Sequence, residues 1–287
     1  MHCTALNAPF GARLHLDRDA PLTGEERRAL RGFFREHGLL VVRGREISRE
    51  QQIDLLASLG RLEPDAHGEP MEMEVTNQHE LSTAPEGELV FHSDYAYDPA
   101  PTTVISMYGL VIEGDVTPTL FASSTTVLDR LPKELVERLR RHEASHGCFL
   151  HRWNAPGERA QEPDPLIPRG EPGWGPDHYW TRHPVVWENP SGVETLFVCL
   201  QHTDCILDLP REESDVILQE LYAALYEPSQ IYTHEWQPHD LVIWDNITVQ
   251  HARPEPRPGP RTLRRFHVSP TDLTGDYVRV ARELGIM

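Results

Sequence analysis

Between Leu89 and Val268 the apolar residues fall into short, β-branched runs. They are LVFHSD (89–94), TTVISMYGLVI (102–112), HPVVW (183–187), ETLFVCL (194–200), DLVIWD (240–245) and TLRRFHV (262–268). Runs this brief, bounded by Pro, Gly, Asp and Asn, suit half-buried or buried strands better than helices. Helical spacing is confined to a few places around them. Thr23-Gly-Glu-Glu26 is a capping box that opens a helix with a stripe of Ala29, Leu30, Phe33 and Phe34, and Gly38 suits its left-handed C-terminus. LLVV (39–42) reads as a buried strand. Ser48 with Gln51 caps a second helix carrying Ile53, Leu55, Leu56 and Leu59 to Gly60. Residues 132–142 are helical by spacing, as are residues 211–226, with Ile217, Leu221 and Leu225 on one face.

These patterns predict a mainly β protein with peripheral helices. A chain of 287 residues has room for one large β domain or two smaller ones. No internal repeat and no linker divides it, so residues 1–287 are expected to form a single domain. Residues 64–87 are polar and Pro-rich, a loop with room for one short strand. Residues 145–182 are dense in Pro, Gly, His and Trp, and a long irregular stretch of this kind is usually functional or mobile. It is expected either as a lid over a site or as a surface excursion packed on the outer sheet.

The net charge of −18 argues against nucleic-acid or anionic-membrane partners, which require a basic footprint. Cys3, Cys148, Cys199 and Cys205 form no CxxC pair and read as free thiols of a reducing compartment. With no signal-like N-terminus and no long apolar run, the expectation is a cytoplasmic protein.

One run contains residues that a core strand would not choose. FHSDYAY (91–97) sets His92 and Asp94 two apart among aromatics. Two histidines and one carboxylate on one face of an octahedron hold iron(II) for oxygen chemistry and leave three positions open. His251 follows the buried strand LVIWDNITVQ, and the basic segment RPEPRPGPRTLRR comes next, with Arg261 and Arg265 four apart. A guanidinium there suits a carboxylate-bearing cosubstrate. Singly, each feature has a plainer reading: HxD as a surface turn, one of 16 histidines as a loop residue, the arginines as a solvated face. HxD, a distal His and a downstream Arg in this order are more specific together.

FHSD, HDLVIWDNITVQH, HPVVWENPSGVETLFV and the N-terminal PFGARLHLDRDAPLTGEERRALRGFFREHGLLVVRG resemble the taurine dioxygenase (TauD/TfdA) family of Fe(II)/2-oxoglutarate-dependent oxygenases. The resemblance implies a double-stranded β-helix, or jelly roll, with Fe(II) as cofactor and 2-oxoglutarate and O₂ as cosubstrates. His92, Asp94 and His251 match its iron triad. Thr119 falls at the family's 2-oxoglutarate threonine, with Thr117 competing, and Arg261 at the arginine pairing the distal carboxylate. Arg265 matches a second arginine that reaches an anionic substrate, with Arg264 as the alternative register. Trp244, Asp245 and Asn246 match as structural residues.

The implied activity is hydroxylation of an unactivated C–H of a small, anionic or amino-acid-like molecule, with 2-oxoglutarate converted to succinate and CO₂. Desaturation or cyclisation in a natural-product pathway is the alternative outcome. The carboxylate of Asp94 favours oxygenation over halogenation. Tyr95, Tyr97, His151, Trp153, Tyr179 and Trp180 are candidates to line the substrate pocket, or equally to be core. A small-molecule partner is expected, and self-association is left open. A zinc hydrolase would leave Arg261 and Thr119 without a role. A non-catalytic jelly-roll binding protein is the third class.

Overall fold

In the computed structural model, which describes residues 1–17, 20–65, 67–79, 82, 87–147, 180–189 and 191–269, both predicted capping boxes are formed. Thr23 and Glu26 cap α1 (Gly24–His37), and Gly38 closes it at φ 65°. Ser48 and Gln51 cap α2 (Arg49–Ala57), which stops short of Gly60. Around these helices the chain runs through β1 (His2–Ala5), β2 (Ala12–His15), β3 (Leu39–Val42) and β4 (Met73–Thr76). Next come β5 (Leu89–His92), β6 (Val104–Ile112), β7 (Thr119–Ser123), α3 (Lys133–Leu139) and β8 (Glu143–Gly147). The described chain then resumes with β9 (Trp180–Pro184), β10 (Val186–Glu188), β11 (Glu194–Leu196), β12 (Thr203–Ile206) and α4 (Arg211–Leu225). It ends with β13 (Ile231–His234), β14 (Leu241–Asp245), β15 (Val249–Arg253) and β16 (Arg261–Val268).

A seven-stranded sheet has the order β1-β2-β3-β14-β6-β16-β4, and a four-stranded sheet the order β13-β7-β15-β5. Among the described residues only β2 and β3 pair in parallel. The two faces of the large sheet bury different partners, because successive side chains alternate. Leu40, Val42, Leu241 and Ile243 pack with Leu30, Phe34, Leu55 and Leu56 of the two N-terminal helices. Their neighbours Leu39, Val41, Val242 and Trp244 pack inward with Phe121 and Val249 of the smaller sheet. This explains why LLVV and LVIW are apolar throughout: both faces are covered.

α3 and α4 cover a third sheet, β12-β8-β9, with the predicted Ile217, Leu221 and Leu225 all buried. HPVVW is two strands rather than the predicted one. Glu143 pairs with Pro184 at the end of β9, Val185 donates its N–H to His142, and Val186 starts a new ladder with Leu196. ETLFVCL likewise leaves its ladder after Leu196, where the Phe197 N–H turns to the Val185 carbonyl. β7, β8, β12 and β13 have no strong apolar pattern of their own and were not predicted; pairing with neighbours holds them. Among the described residues no helix is long and apolar enough to cross a membrane.

Candidate metal centre and cosubstrate pocket

β5 ends on His92, and antiparallel pairing sets His251 of β15 directly opposite it. The two imidazole centroids are 4.2 Å apart. Asp94 lies beyond the end of β5 and joins them by a turn rather than by strand alternation. Asn246, in the turn after β14, accepts from the Asp94 N–H at 2.9 Å and donates to its carbonyl at 2.9 Å. Tyr95 then takes φ 56°, a left-handed conformation that aromatic residues rarely adopt and that local structure must enforce. The result brings Asp94 Oδ1 to 3.3 Å from His92 Nε2 and 3.9 Å from His251 Nε2.

The donor set fits a metal of the two-histidine, one-carboxylate type. One ligand atom from each of the three residues lies within 4.8 Å of the others. His92 Nδ1 is 2.8 Å from the Val90 carbonyl, so it carries the proton and leaves a lone pair on Nε2. Burial pulls the His92 pKa down to about 4 and that of His251 well below the ordinary value, so both rings are neutral, as ligation requires. Asp94 Oδ2 is held by the Arg265 guanidinium, which leaves Oδ1 to face the imidazoles.

The cluster opens on a cavity of about 430 Å³. Arg261 and Thr119 lie in its wall, with Met71, Met73 and Leu263 as apolar lining. Thr119 Oγ1 accepts from Trp236 Nε1 at 3.1 Å, so its own proton is available to a ligand oxygen. Thr117 is turned away: its hydroxyl accepts from the Arg257 N–H, and its carbonyl accepts from Arg261 Nη1 at 2.7 Å. Burial lowers the Arg261 pKa to about 10, which still leaves a full positive charge at neutral pH. The register ambiguity resolves as well. Arg265 faces the cavity, whereas Arg264 points to the helix side and bonds Gln52 and the Ile47 carbonyl.

Tyr95 and Tyr97 line the cavity. His151, Trp153 and Tyr179, with residues 148–179 of the expected lid, lie outside the described residues, as does the side chain of Trp180. Arg253, His202 and His267 of the lining escaped the sequence reading, as did Glu63 behind His267. Strand alternation from His251 and from Arg265 was the available signal for Arg253 and His267. A larger cleft of about 1040 Å³ opens beside β2 and β3, lined by His2, Arg13, His15 and Arg43 among others. Among the described residues it holds no cluster with metal-ligand spacing, and the chemistry is in the smaller cavity.

Stacked antiparallel sheets around a buried His-Asp-His cluster define a metal-binding β protein. The family model described as "Taurine catabolism dioxygenase TauD, TfdA family" matches residues 3–267, and the chain belongs to that family of Fe(II)/2-oxoglutarate dioxygenases. It is 31% identical over 183 residues to pentalenolactone F synthase of Streptomyces avermitilis, covering 61% of this chain and 58% of that protein. It is 28% identical over 263 residues to the (S)-phenoxypropionate/alpha-ketoglutarate-dioxygenase of Sphingobium herbicidovorans, covering 86% of each. Among solved structures, AAD-2 in complex with Mn(II) and N-oxalylglycine aligns with a TM-score of 0.74 at 22% identity, over 94% of this chain and 97% of that one. A taurine dioxygenase from Burkholderia xenovorans aligns with a TM-score of 0.72 at 19% identity, over 93% and 89%. These neighbours share the fold, and the jelly roll expected from the resemblance is borne out.

Proposed function

We propose that this chain is an Fe(II)/2-oxoglutarate-dependent oxygenase that hydroxylates an unactivated C–H of a small molecule, with 2-oxoglutarate converted to succinate and CO₂. The observation that carries the reading is one cavity holding the His92–Asp94–His251 cluster together with Arg261 and Thr119. A zinc hydrolase needs the first group but has no use for the second.

In this reading His92 Nε2, His251 Nε2 and Asp94 Oδ1 hold the iron. Bound iron(II) supplies oxygen activation coupled to decarboxylation of the cosubstrate. Arg261 and Thr119 hold the far carboxylate of 2-oxoglutarate, by charge-assisted and hydroxyl hydrogen bonds. Arg261 is pre-aimed, since Thr117 already fixes one of its nitrogens. Arg265 orients Asp94 through Oδ2, so a single carboxylate oxygen faces the metal position. Tyr95 and Tyr97 wall the space in front of the triad and exclude water from it.

Likeness to the pentalenolactone F synthases favours a second outcome at the same site, an oxidation that ends in desaturation or ring formation. The alignment spans 58% and 60% of those two proteins, so the outcome is open to test. The deciding experiment adds Fe(II) and 2-oxoglutarate to the purified protein without oxygen and looks for a weak visible charge-transfer band. Oxygen and a panel of small molecules follow, with succinate and product mass as readouts. The proposal expects the band and substrate-dependent succinate. A protein that gives neither, yet hydrolyses esters or amides when loaded with Zn(II), would be a hydrolase.

A further inference from the structure

His267 ends the cavity face of β16 and is 2% exposed. Its Nδ1 lies 3.3 Å from Oε2 of Glu63, itself 1% exposed. A backbone hydrogen bond joins the two, from the Glu63 N–H to the His267 carbonyl, and the Met71 N–H donates to the Glu63 carbonyl. A carboxylate can only accept, so the proton of a neutral His267 ring sits on Nδ1 and Nε2 carries a lone pair. That Nε2 has no hydrogen-bond partner, although it is buried. It stands 3.9 Å from Asp94 Oδ2, beside the metal cluster, and the Tyr95 ring meets the imidazole edge-on at 6.0 Å. A buried acceptor without a partner is costly unless a ligand completes it. His202, whose ring meets that of His92 edge-on, likewise has its Nδ1 tied to an acceptor, the Gly147 carbonyl at 3.0 Å.

We propose that His267, oriented by Glu63, binds the molecule to be oxidised by accepting a hydrogen bond at Nε2, so that the substrate carries a neutral donor, an alcohol hydroxyl or amide N–H, next to its reacting carbon. The assignment rests on the oxygenase reading and names the substrate class of that site. A carboxylate or sulfonate in this position would meet a lone pair and the Asp94 carboxylate. The nearest cation, Arg265, is already engaged by Asp94, and Arg261 is reserved for the cosubstrate. An ammonium would enter a cavity ringed by Arg253, Arg261 and Arg265. A neutral donor satisfies Nε2 without either conflict.

The test uses the full chain with Fe(II) and 2-oxoglutarate under anaerobic conditions. Probes come in triples on one carbon frame, such as 2-phenoxyethanol, its methyl ether and phenoxyacetate, with cyclic and aliphatic frames beside the aryl one. Perturbation of the charge-transfer band reads binding without turnover. On frames that bind, the alcohol is expected to bind about tenfold or more tighter than its ether or carboxylate. His267→Phe should erase that preference while the unperturbed band persists. Glu63→Gln should shrink it, because an amide can donate to Nδ1 and turn Nε2 into a donor; His267→Gln, which keeps an acceptor, should retain part of it. If His267→Phe does not fold, the last two variants decide. A carboxylate-first ranking, no alcohol preference on any frame, or a preference that ignores both positions overturns the proposal. A wild-type protein with no band at all overturns instead the oxygenase reading on which it rests.

Discussion

Arg264 and Arg265 are neighbours on one strand and end in opposite environments. On the helix side, Arg264 Nε donates to Gln52 Oε1 at 2.8 Å and Nη2 to the Ile47 carbonyl at 2.8 Å, with the guanidinium 4.8 Å from the Tyr108 ring centroid. On the cavity side, Arg265 holds Asp94 but leaves Nε buried without a partner, and His267 Nε2 and His251 Nδ1 are in the same condition. On the helix side the Arg264 guanidinium is completed by the protein's own atoms. On the inner face several polar groups are left incomplete, and unsatisfied buried groups are the cost of a site meant for ligands. Outer-face changes should therefore lower stability, and inner-face changes should lower binding.

The strongest test of that division is the triad. His251→Ala or Asp94→Ala should abolish the anaerobic Fe(II)/2-oxoglutarate band and substrate-dependent succinate, with the protein still folded by circular dichroism. A band that survives both would remove the metal assignment. Next come two arginines from opposite faces. Arg261→Ala should raise the 2-oxoglutarate concentration needed for half-saturation by about 10- to 100-fold, for a lost charge-assisted bond worth about 1.5–3 kcal/mol. Arg264→Ala should instead lower stability by about 1–3 kcal/mol, since Gln52 Oε1 and the Ile47 carbonyl lose their donor, and leave that concentration within about twofold. Equal effects of the two changes on 2-oxoglutarate would erase the distinction between faces.

A pH series extends the comparison to two buried histidines, His202 in the cavity wall and His183 in the core. Burial lowers the pKa of His183 to about 4 and that of His202 to about 3, from the ordinary 6.5. The unfolded chain therefore binds protons that the folded protein refuses. The stability these rings contribute is fully present above about pH 6.5 and is lost as pH falls toward 4, at up to about 1.4 kcal/mol per pH unit for each ring. Thermal melts of the metal-free protein should show this decline, shallower in His183→Gln; a flat profile over that range would contradict it. The smallest effect belongs to the outer helices. Thr23→Ala should cost about 1 kcal/mol through loss of the cap, with 2-oxoglutarate binding unchanged.

Both helix caps, the α4 stripe and most core strands were legible because their causes are local. A capping box needs four consecutive residues, and a strand needs only its own alternation. That His92, Asp94, His251 and Arg261 come together was legible through a motif whose order along the chain is distinctive. β7 and β13 were not, since their pairing partners rather than their composition hold polar segments such as IYTH in place.

What the sequence determined by itself is thus the set of elements, their caps and the residue types able to bind a metal and a carboxylate. Tertiary structure alone decided which of these residues meet. Register sets His251 opposite His92, and Asn246 bends Asp94 to join them. The choices between Arg264 and Arg265 and between Thr117 and Thr119 were also made there. So was the Glu63–His267 pair, whose members come from distant parts of the chain. The physical reason is that a strand offers two faces of equal local standing. Only the packing of β16 between the helix-side core and the inner cavity tells one face from the other.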